Sequence, residues 1–200
     1  MWAGNIRGPV IVPGNYKVLL TANGRSETQN FVVKKDPRLS TTPDEYARQL
    51  EVALQIHNKL SQSNDAVIRI RDIRKQLDDY AERVKDQKVA DAAKALSKNL
   101  TTVEEALYQT KNRANEDPLN FPIKLNNKLA ALEGVVESSD SAPTLQSSQV
   151  FEDLASQVNA QLETLKKLTG SDLAAFNKLA RDQNVPAVIV SDQPPATRNQ

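Results

Sequence analysis

Residues 66–84, AVIRIRDIRKQLDDYAERV, carry the clearest structural signal in the chain. Their apolar side chains recur with a strict alternation of four and three positions. They are Ala66, Ile70, Ile73, Leu77, Tyr80 and Val84. This spacing places them along one narrow seam of a helix, as in helices that pack on one another. The stretch therefore predicts a helix that belongs to a bundle.

Upstream of this seam, the motif Thr42-Pro43-Asp44-Glu45 marks a helix start. It combines a threonine cap, a proline at the first helical position and a glutamate that completes a capping box. Apolar residues follow at helical spacing, namely Tyr46, Leu50, Ala53 and Leu60. Asn64-Asp65 separates this run from the seam. Residues 43–84 therefore form either two helices or one long helix.

Further helices are predicted downstream, each from one apolar face. The first of them spans Val89 to Ala114. The next two carry Leu125, Leu129, Leu132 and Val136, and then Phe151, Leu154, Val158, Leu162 and Leu165. Gly170 is predicted to stop the latter helix. Ser171 is predicted to cap a short last helix that contains Leu173, Phe176 and Leu179.

The N-terminal region has a different pattern, which predicts a β-hairpin over about residues 15–34. Two apolar runs, Tyr16 to Thr21 and Phe31 to Lys34, flank Asn23-Gly24. This dipeptide favours a two-residue hairpin turn because both positions tolerate positive φ. A hairpin alone is marginally stable in water. We therefore expect it to be part of a β domain that the chain does not contain in full.

These patterns together predict a mainly α fold. It is an up-down antiparallel helical bundle, preceded by a short β-hairpin that looks like part of a truncated β-sandwich. The sandwich segment covers residues 1–36 and the bundle covers residues 37–183. Residues 184–200 are predicted to form an apolar strap, Val185 to Val190, and a disordered tail.

The composition excludes several classes of function. The 26 basic residues nearly balance the 25 acidic ones, so the basic excess of a nucleic-acid-binding protein is missing. There is no cysteine, which excludes disulfides and thiolate metal sites. No run approaches the ~20 apolar residues of a membrane span. The first residues lack the apolar core of a signal peptide, so the signal of an exported protein would lie upstream.

The residues that could carry chemistry form no recognisable constellation. The single histidine, His57, lies on the apolar line of its helix and is predicted to be a part-buried bundle residue. The acid pairs Asp78-Asp79, Glu104-Glu105 and Glu152-Asp153 are adjacent, so their members point apart on a helix, and we expect solvated faces. Gly134 is predicted to permit a close helix crossing. The sequence therefore predicts no catalytic, cofactor-binding or metal-ligating residue.

Three other features also have structural rather than functional interpretations. Arg69, Arg71, Arg74 and Lys75 form a basic cluster interleaved with aspartates, which favours a solvated face with local ion pairs over an anion site. Asn99-Leu100-Thr101 is a glycosylation sequon, without meaning in a bacterial protein. The only tryptophan, Trp2, is close to a chain end, so no aromatic platform for a sugar is predicted.

Two stretches resemble a known family. The first comprises GPVIVPGNYKVLL at 8–20 and FVVKKDPR at 31–38. The second comprises LNNKLAAL at 125–132, GVVES at 134–138, APT at 142–144, FNKL at 176–179 and VPA at 185–187. Together they resemble the C-terminal region of large bacterial proteins with BNR-type, sortilin-like β-propellers, often labelled glycosyl hydrolases. The resemblance implies an exported parent, secreted or periplasmic, whose hydrolase label belongs to the propellers.

The leading functional expectation is a non-catalytic structural and interaction module. Its partners would be the propeller domains of the parent or another protein, with no nucleic acid, no membrane span and no cofactor. Two alternatives stay open. The chain could be an accessory part of a glycoside hydrolase whose active site lies elsewhere, or a free-standing helical adaptor. The strict seams also suit a homodimer.

Overall fold

The computed structural model describes residues 7–114, 116–183 and 188–190. Trp2, the Val185–Ala187 part of the strap and the predicted disordered tail lie outside these residues. The predicted mainly helical fold with an N-terminal hairpin is confirmed. The strands are β1 (Gly14–Ala22) and β2 (Arg25–Val33). The helices are α1 (Pro43–Arg83), α2 (Gln87–Leu107), α3 (Leu125–Val136), α4 (Leu145–Lys167) and α5 (Leu173–Asp182).

The α1 helix is a single helix of 41 residues, so the second alternative for residues 43–84 is the correct one. It begins with the predicted capping box, in which Thr42 and Glu45 each satisfy a backbone N–H of the other. Asn64 and Asp65 do not break it, because Ala66 and Val67 continue the buried seam directly afterwards. At 1.5 Å per residue the helix is about 60 Å long and forms the spine of the molecule.

Two shorter helices lie one after the other along α1. The α2 helix is antiparallel to the C-terminal half of α1, where Ser97 donates a hydrogen bond to Asp78 over 2.9 Å. The α3 helix follows along the N-terminal half, where the Asn126 side chain lies 3.3 Å from that of Asn64. Because α2 and α3 contact different halves of α1, they have little contact with each other.

The remaining two helices are α4 and α5. The α4 helix runs in the same direction as α1, with the Lys59 ammonium 2.8 Å from the Asn159 side chain, and it is antiparallel to α3. The predicted up-down antiparallel bundle is therefore confirmed. Its core is almost entirely aliphatic. The most deeply buried large apolar side chains are Ile56, Ile70, Ile73, Leu77, Val89, Leu100, Leu107, Leu129 and Val158. Each contributes roughly 1.5–3 kcal/mol through burial.

Two predicted helix ends are wrong. The α2 helix ends at Leu107 rather than Ala114, because Tyr108 adopts an extended conformation (φ −135°, ψ 141°). The loop that follows is organised by Asp117, whose carboxylate accepts the backbone N–H groups of Arg113 and Ala114. These bonds hold the pKa of Asp117 below its ordinary value.

The predicted helix end at Gly170 and the predicted cap at Ser171 are also wrong. The structure has a π-helical turn, Leu168–Asp172, that joins α4 directly to α5. The buried residues on its two sides are Leu168 and Leu173, five positions apart. A regular α-helix would turn Asp172 toward the core instead, so the wider turn keeps the apolar face in register.

The hairpin has the predicted turn. Asn23 and Gly24 both have positive φ, at 51° and 74°, and β1 pairs with β2 in antiparallel register from Gly14–Val33 to Ala22–Arg25. Among the described elements, the two strands pack on each other and on no helix. The hairpin therefore projects from the bundle.

Candidate functional site

The hairpin exposes an apolar face. Tyr16, Val18, Leu20 and Phe31 point to the same side, since residues two apart along a strand and cross-strand partners share a face. The rings of Tyr16 and Phe31 stack with centroids 5.6 Å apart. Val18 is 51% exposed, Leu20 67% and Phe31 43%. Gln29 and Glu27 lie on the same side, opposite Val18 and Leu20, and the other side carries Leu19 and Val32 among polar residues. One side of the sheet thus has the character of a surface that another element covers.

The two edges of the hairpin are also free of strand partners within the described part of the chain. Each strand has nine residues and carries a row of outward backbone N–H and C=O groups. Long exposed edges of this kind are templates for pairing with another strand. Lys17 in β1 and Glu27 in β2 are the charged residues between the strand ends.

The base of the hairpin is fixed to one end of the bundle. The Val10 backbone donates a hydrogen bond to the Glu137 carboxylate at the end of α3, over 2.7 Å. The Thr41 hydroxyl donates to the Asp140 carbonyl. The Lys35 ammonium donates to the Thr41 carbonyl over 2.9 Å. These contacts position the hairpin without covering its strands.

His57 is half-buried, as predicted, and its neighbour is a buried acid. Its Nδ1 lies 3.4 Å from Oε1 of Glu133 on α3, longer than a normal charge-assisted hydrogen bond. Glu133 is 1% exposed, and neither of its oxygens has a hydrogen-bond donor among the described residues. Burial raises the pKa of Glu133, the nearby His57 opposes that rise, and Glu137 adds to it.

Glu104 contradicts the expectation of a solvated acid pair. Its side chain is buried and accepts hydrogen bonds from Arg71 and Arg74, each over 2.6 Å. Glu105 is exposed, because adjacent helical residues point in different directions. The Arg71 guanidinium also lies 4.9 Å from the centre of the Tyr108 ring. Two members of the basic cluster, Arg71 and Arg74, thus pair with a glutamate on α2.

The other candidates occupy structural positions. Asp78 is exposed and accepts the Ser97 hydrogen bond, and Asp79 is exposed as predicted. Asp153 accepts a hydrogen bond from Gln157 one turn later, and Glu152 is exposed beside it. The expectation for Gly134 is wrong. It is exposed, and a Cβ there would meet no atom within 4 Å, so no helix crosses it closely.

Comparison with protein-family models, with curated proteins and with solved structures finds no match. In the residues that the structure describes, no helix is long and apolar enough to cross a membrane. The same residues contain no group of three His, Asp or Glu side chains that could hold a metal ion.

Sequence reasoning missed the residues that attach the hairpin. Glu137 and Asp140 lie just after α3, far along the chain from Val10 and Thr41, and no local pattern marks them. The sequence also gave no reason to pair His57 with Glu133. Their spacing on two different helices becomes informative only when the register between α1 and α3 is known.

Proposed function

We propose that this chain is a structural and interaction module whose hairpin adds two strands to β-structure supplied from outside the described residues. The observation that carries the proposal is the hairpin itself, which has an uncovered apolar face and two unpaired edges. Addition of strands to an open edge is a common mode of recognition, in which main-chain hydrogen bonds supply affinity and alternate side chains supply specificity. The hairpin has both components.

The energetics support the same interpretation. An isolated two-stranded hairpin is marginal in water, and this one gains no stability from packing on the helices. Covering Val18, Leu20 and Phe31 would contribute roughly 1–2 kcal/mol for each side chain that becomes buried. The bundle has a complete core of its own and holds the hairpin base through Glu137 and Asp140. In this proposal the bundle orients the hairpin and the partner stabilises it.

The resemblance to the C-terminal region of exported propeller proteins suggests where the partner would come from. We propose that the missing β-structure belongs to the same larger, secreted or periplasmic polypeptide, on the N-terminal side of this chain. The module is non-catalytic in this proposal. Any hydrolytic activity of the parent would belong to its propellers.

The first test is the mass of the native polypeptide in its source, detected with an antibody against the bundle. The proposal predicts a band several times larger than 22.1 kDa. A band near 22.1 kDa would contradict the larger parent and favour a free-standing adaptor.

A second test uses the remainder of that larger polypeptide, expressed separately and titrated with the full chain. Val18→Lys combined with Leu20→Lys places charge on the apolar face and should weaken binding at least about tenfold. Thr28→Lys, on the opposite face, is the matched control and should change binding little. Equal affinity of both variants would contradict docking through the apolar face.

A further inference from the structure

Residues 188–190 of the chain lie in a cleft between α1 and α5, where a side chain of each helix bonds to their backbone. The Gln76 side chain contacts both backbone groups of Ile189. Its Oε1 accepts the Ile189 N–H over 2.9 Å, and its Nε2 donates to the Ile189 carbonyl over 2.8 Å. One amide side chain therefore satisfies the donor and the acceptor of one residue.

Asn177 on α5 makes the same pair of bonds to the preceding residue. Its Oδ1 accepts the Val188 N–H over 2.8 Å, and its Nδ2 donates to the Val188 carbonyl over 3.0 Å. Two amides on opposite walls thus bond to the N–H and C=O groups of two consecutive residues. We call Gln76 and Asn177 the amide clamp.

The side chains of the segment alternate between buried and exposed positions. Val188 is 4% exposed and belongs to the hydrophobic core, and Val190 packs on that core in part. Ile189 lies between them and is 71% exposed. This alternation of inward and outward side chains is that of an extended strand.

Gln76 on α1 and Asn177 on α5 mark the two walls of the cleft. The backbones of these two helices are not in contact, whereas α2 packs on both and lies behind the cleft. The Tyr80 and Phe176 rings, one from each wall, meet edge to face with centroids 5.6 Å apart. The π-helical turn that joins α4 to α5 is a feature often found at functional sites.

We propose that this cleft is a binding site for an extended peptide segment with one aliphatic anchor, and that residues 188–190 are its displaceable occupant. The amide clamp forms hydrogen bonds with backbone groups that every non-proline residue has, so it tolerates different side chains at the outward position. The anchor position requires a side chain of about the size of valine. Proline is excluded at both clamped positions because each N–H is bonded.

The occupant is displaceable because little holds it. Four hydrogen bonds and one fully buried side chain are a small share of the fold, and such segments open locally without global unfolding. In the intact chain the segment binds its site at a high effective concentration, so a free peptide must compete with it. This inference is independent of the proposed role of the hairpin.

The experiment uses the full chain and a blocked, fluorescent peptide with the sequence of residues 185–192, VPAVIVSD, followed by anisotropy. Val188→Asp in the chain should empty the cleft, because a carboxylate does not enter the apolar pocket. We expect this variant to bind the peptide at least about tenfold more tightly than the unaltered chain.

Two controls assign the binding to the cleft. Adding Gln76→Ala to the Val188→Asp chain should weaken binding about tenfold, since two hydrogen bonds are lost. A peptide with aspartate in place of its anchor valine should not bind. A folded Val188→Asp chain that binds no better than the unaltered chain would overturn the proposal, as would binding that is indifferent to Gln76→Ala.

A second variant covers the case in which Val188→Asp does not fold. Ile189→Pro removes the N–H that Gln76 accepts, and its side chain lies in solvent, so the core is untouched. This chain should also gain affinity for the peptide. A monomeric, folded Ile189→Pro chain that does not gain affinity would overturn the proposal.

Discussion

Glu133 is a carboxylate that the fold buries at the contact between α1 and α3. Burial raises its pKa. Between the unfolded and the native pKa, the native state therefore binds more protons than the unfolded chain, and stability falls as pH rises through that window. The cost of the buried charge is present at neutral pH and absent below the unfolded pKa of about 4.3.

Replacing Glu133 with a side chain of similar volume and no charge should therefore stabilise the protein. We expect Glu133→Met to raise the free energy of unfolding by about 1–2 kcal/mol at pH 7, and to give a much smaller gain at pH 4. Urea unfolding at the two pH values measures both quantities. Glu163→Met, at an exposed position of α4, is the control and should change stability little at either pH. A loss of stability at pH 7 in the Glu133 variant would show that the carboxylate is a net stabilising group.

We predict that removing the two arginines that pair with Glu104 lowers stability more than removing Glu104 itself. Removing Arg71 and Arg74 together leaves an ionised carboxylate buried and unpaired, which should cost about 3 kcal/mol. Glu104→Leu leaves two arginines that keep access to water, at 50% and 29% side-chain exposure, and should cost only about 1 kcal/mol. Thermal or urea unfolding of both variants measures this difference. Equal costs would contradict the burial assigned to Glu104.

The burial of a single residue was predictable from the sequence where the helical spacing of apolar residues determines it. His57 lies half-buried on the apolar line that its spacing indicated. The burial of Glu104 was not predictable, because its two partners are on another helix about thirty positions earlier. A buried charge is tolerated only when tertiary packing supplies a partner, and a one-dimensional pattern does not contain that information.

At the level of elements, Gly134 in α3 lowers helix stability without a packing reason. A Cβ at this position meets open space, and glycine in a helix interior is less stable than alanine by about 0.5–1 kcal/mol. Gly134→Ala should therefore raise the free energy of unfolding by about that amount, measured by urea unfolding.

Gly24, unlike Gly134, lies at a position where the backbone conformation favours glycine. Its φ of +74° is strained for alanine, so Gly24→Ala should weaken the hairpin. The bundle transition should not move, because the strands do not pack on helices. A loss of stability in the Gly134 variant, or a shifted bundle transition in the Gly24 variant, would contradict these assignments.

The elements themselves were largely predictable, and their junctions were not. The capping box, the seam of α1 and the Asn23-Gly24 turn are each determined by residues close in sequence. The π-helical turn is different, because Gly170 and Ser171 are local stop signals that tertiary packing overrides. Keeping Leu168 and Leu173 on the same buried side stabilises the continuous helix more than these two residues disfavour it.

At the scale of the whole molecule, the described residues form a helical bundle with its own core and a hairpin whose strands pack on no helix. The spacing of the aliphatic residues predicted the bundle, because buried side chains must recur with the period of the helix. The attachment of the hairpin through Glu137 and Asp140 depends on contacts about a hundred positions apart, and the sequence alone did not indicate it. A segment that is held at its base and uncovered along its length is suited to docking.

The most direct test is hydrogen exchange of the full chain at neutral pH, comparing residues 14–33 with residues 53–77. If the hairpin depends on a partner, its amides should exchange close to the rate of an unstructured peptide, while the α1 core exchanges at least about a thousandfold more slowly. Adding the remainder of a larger parent should then slow the hairpin amides. Protection of the hairpin equal to that of the α1 core in the chain alone would contradict the interaction module, because such a hairpin would need no partner.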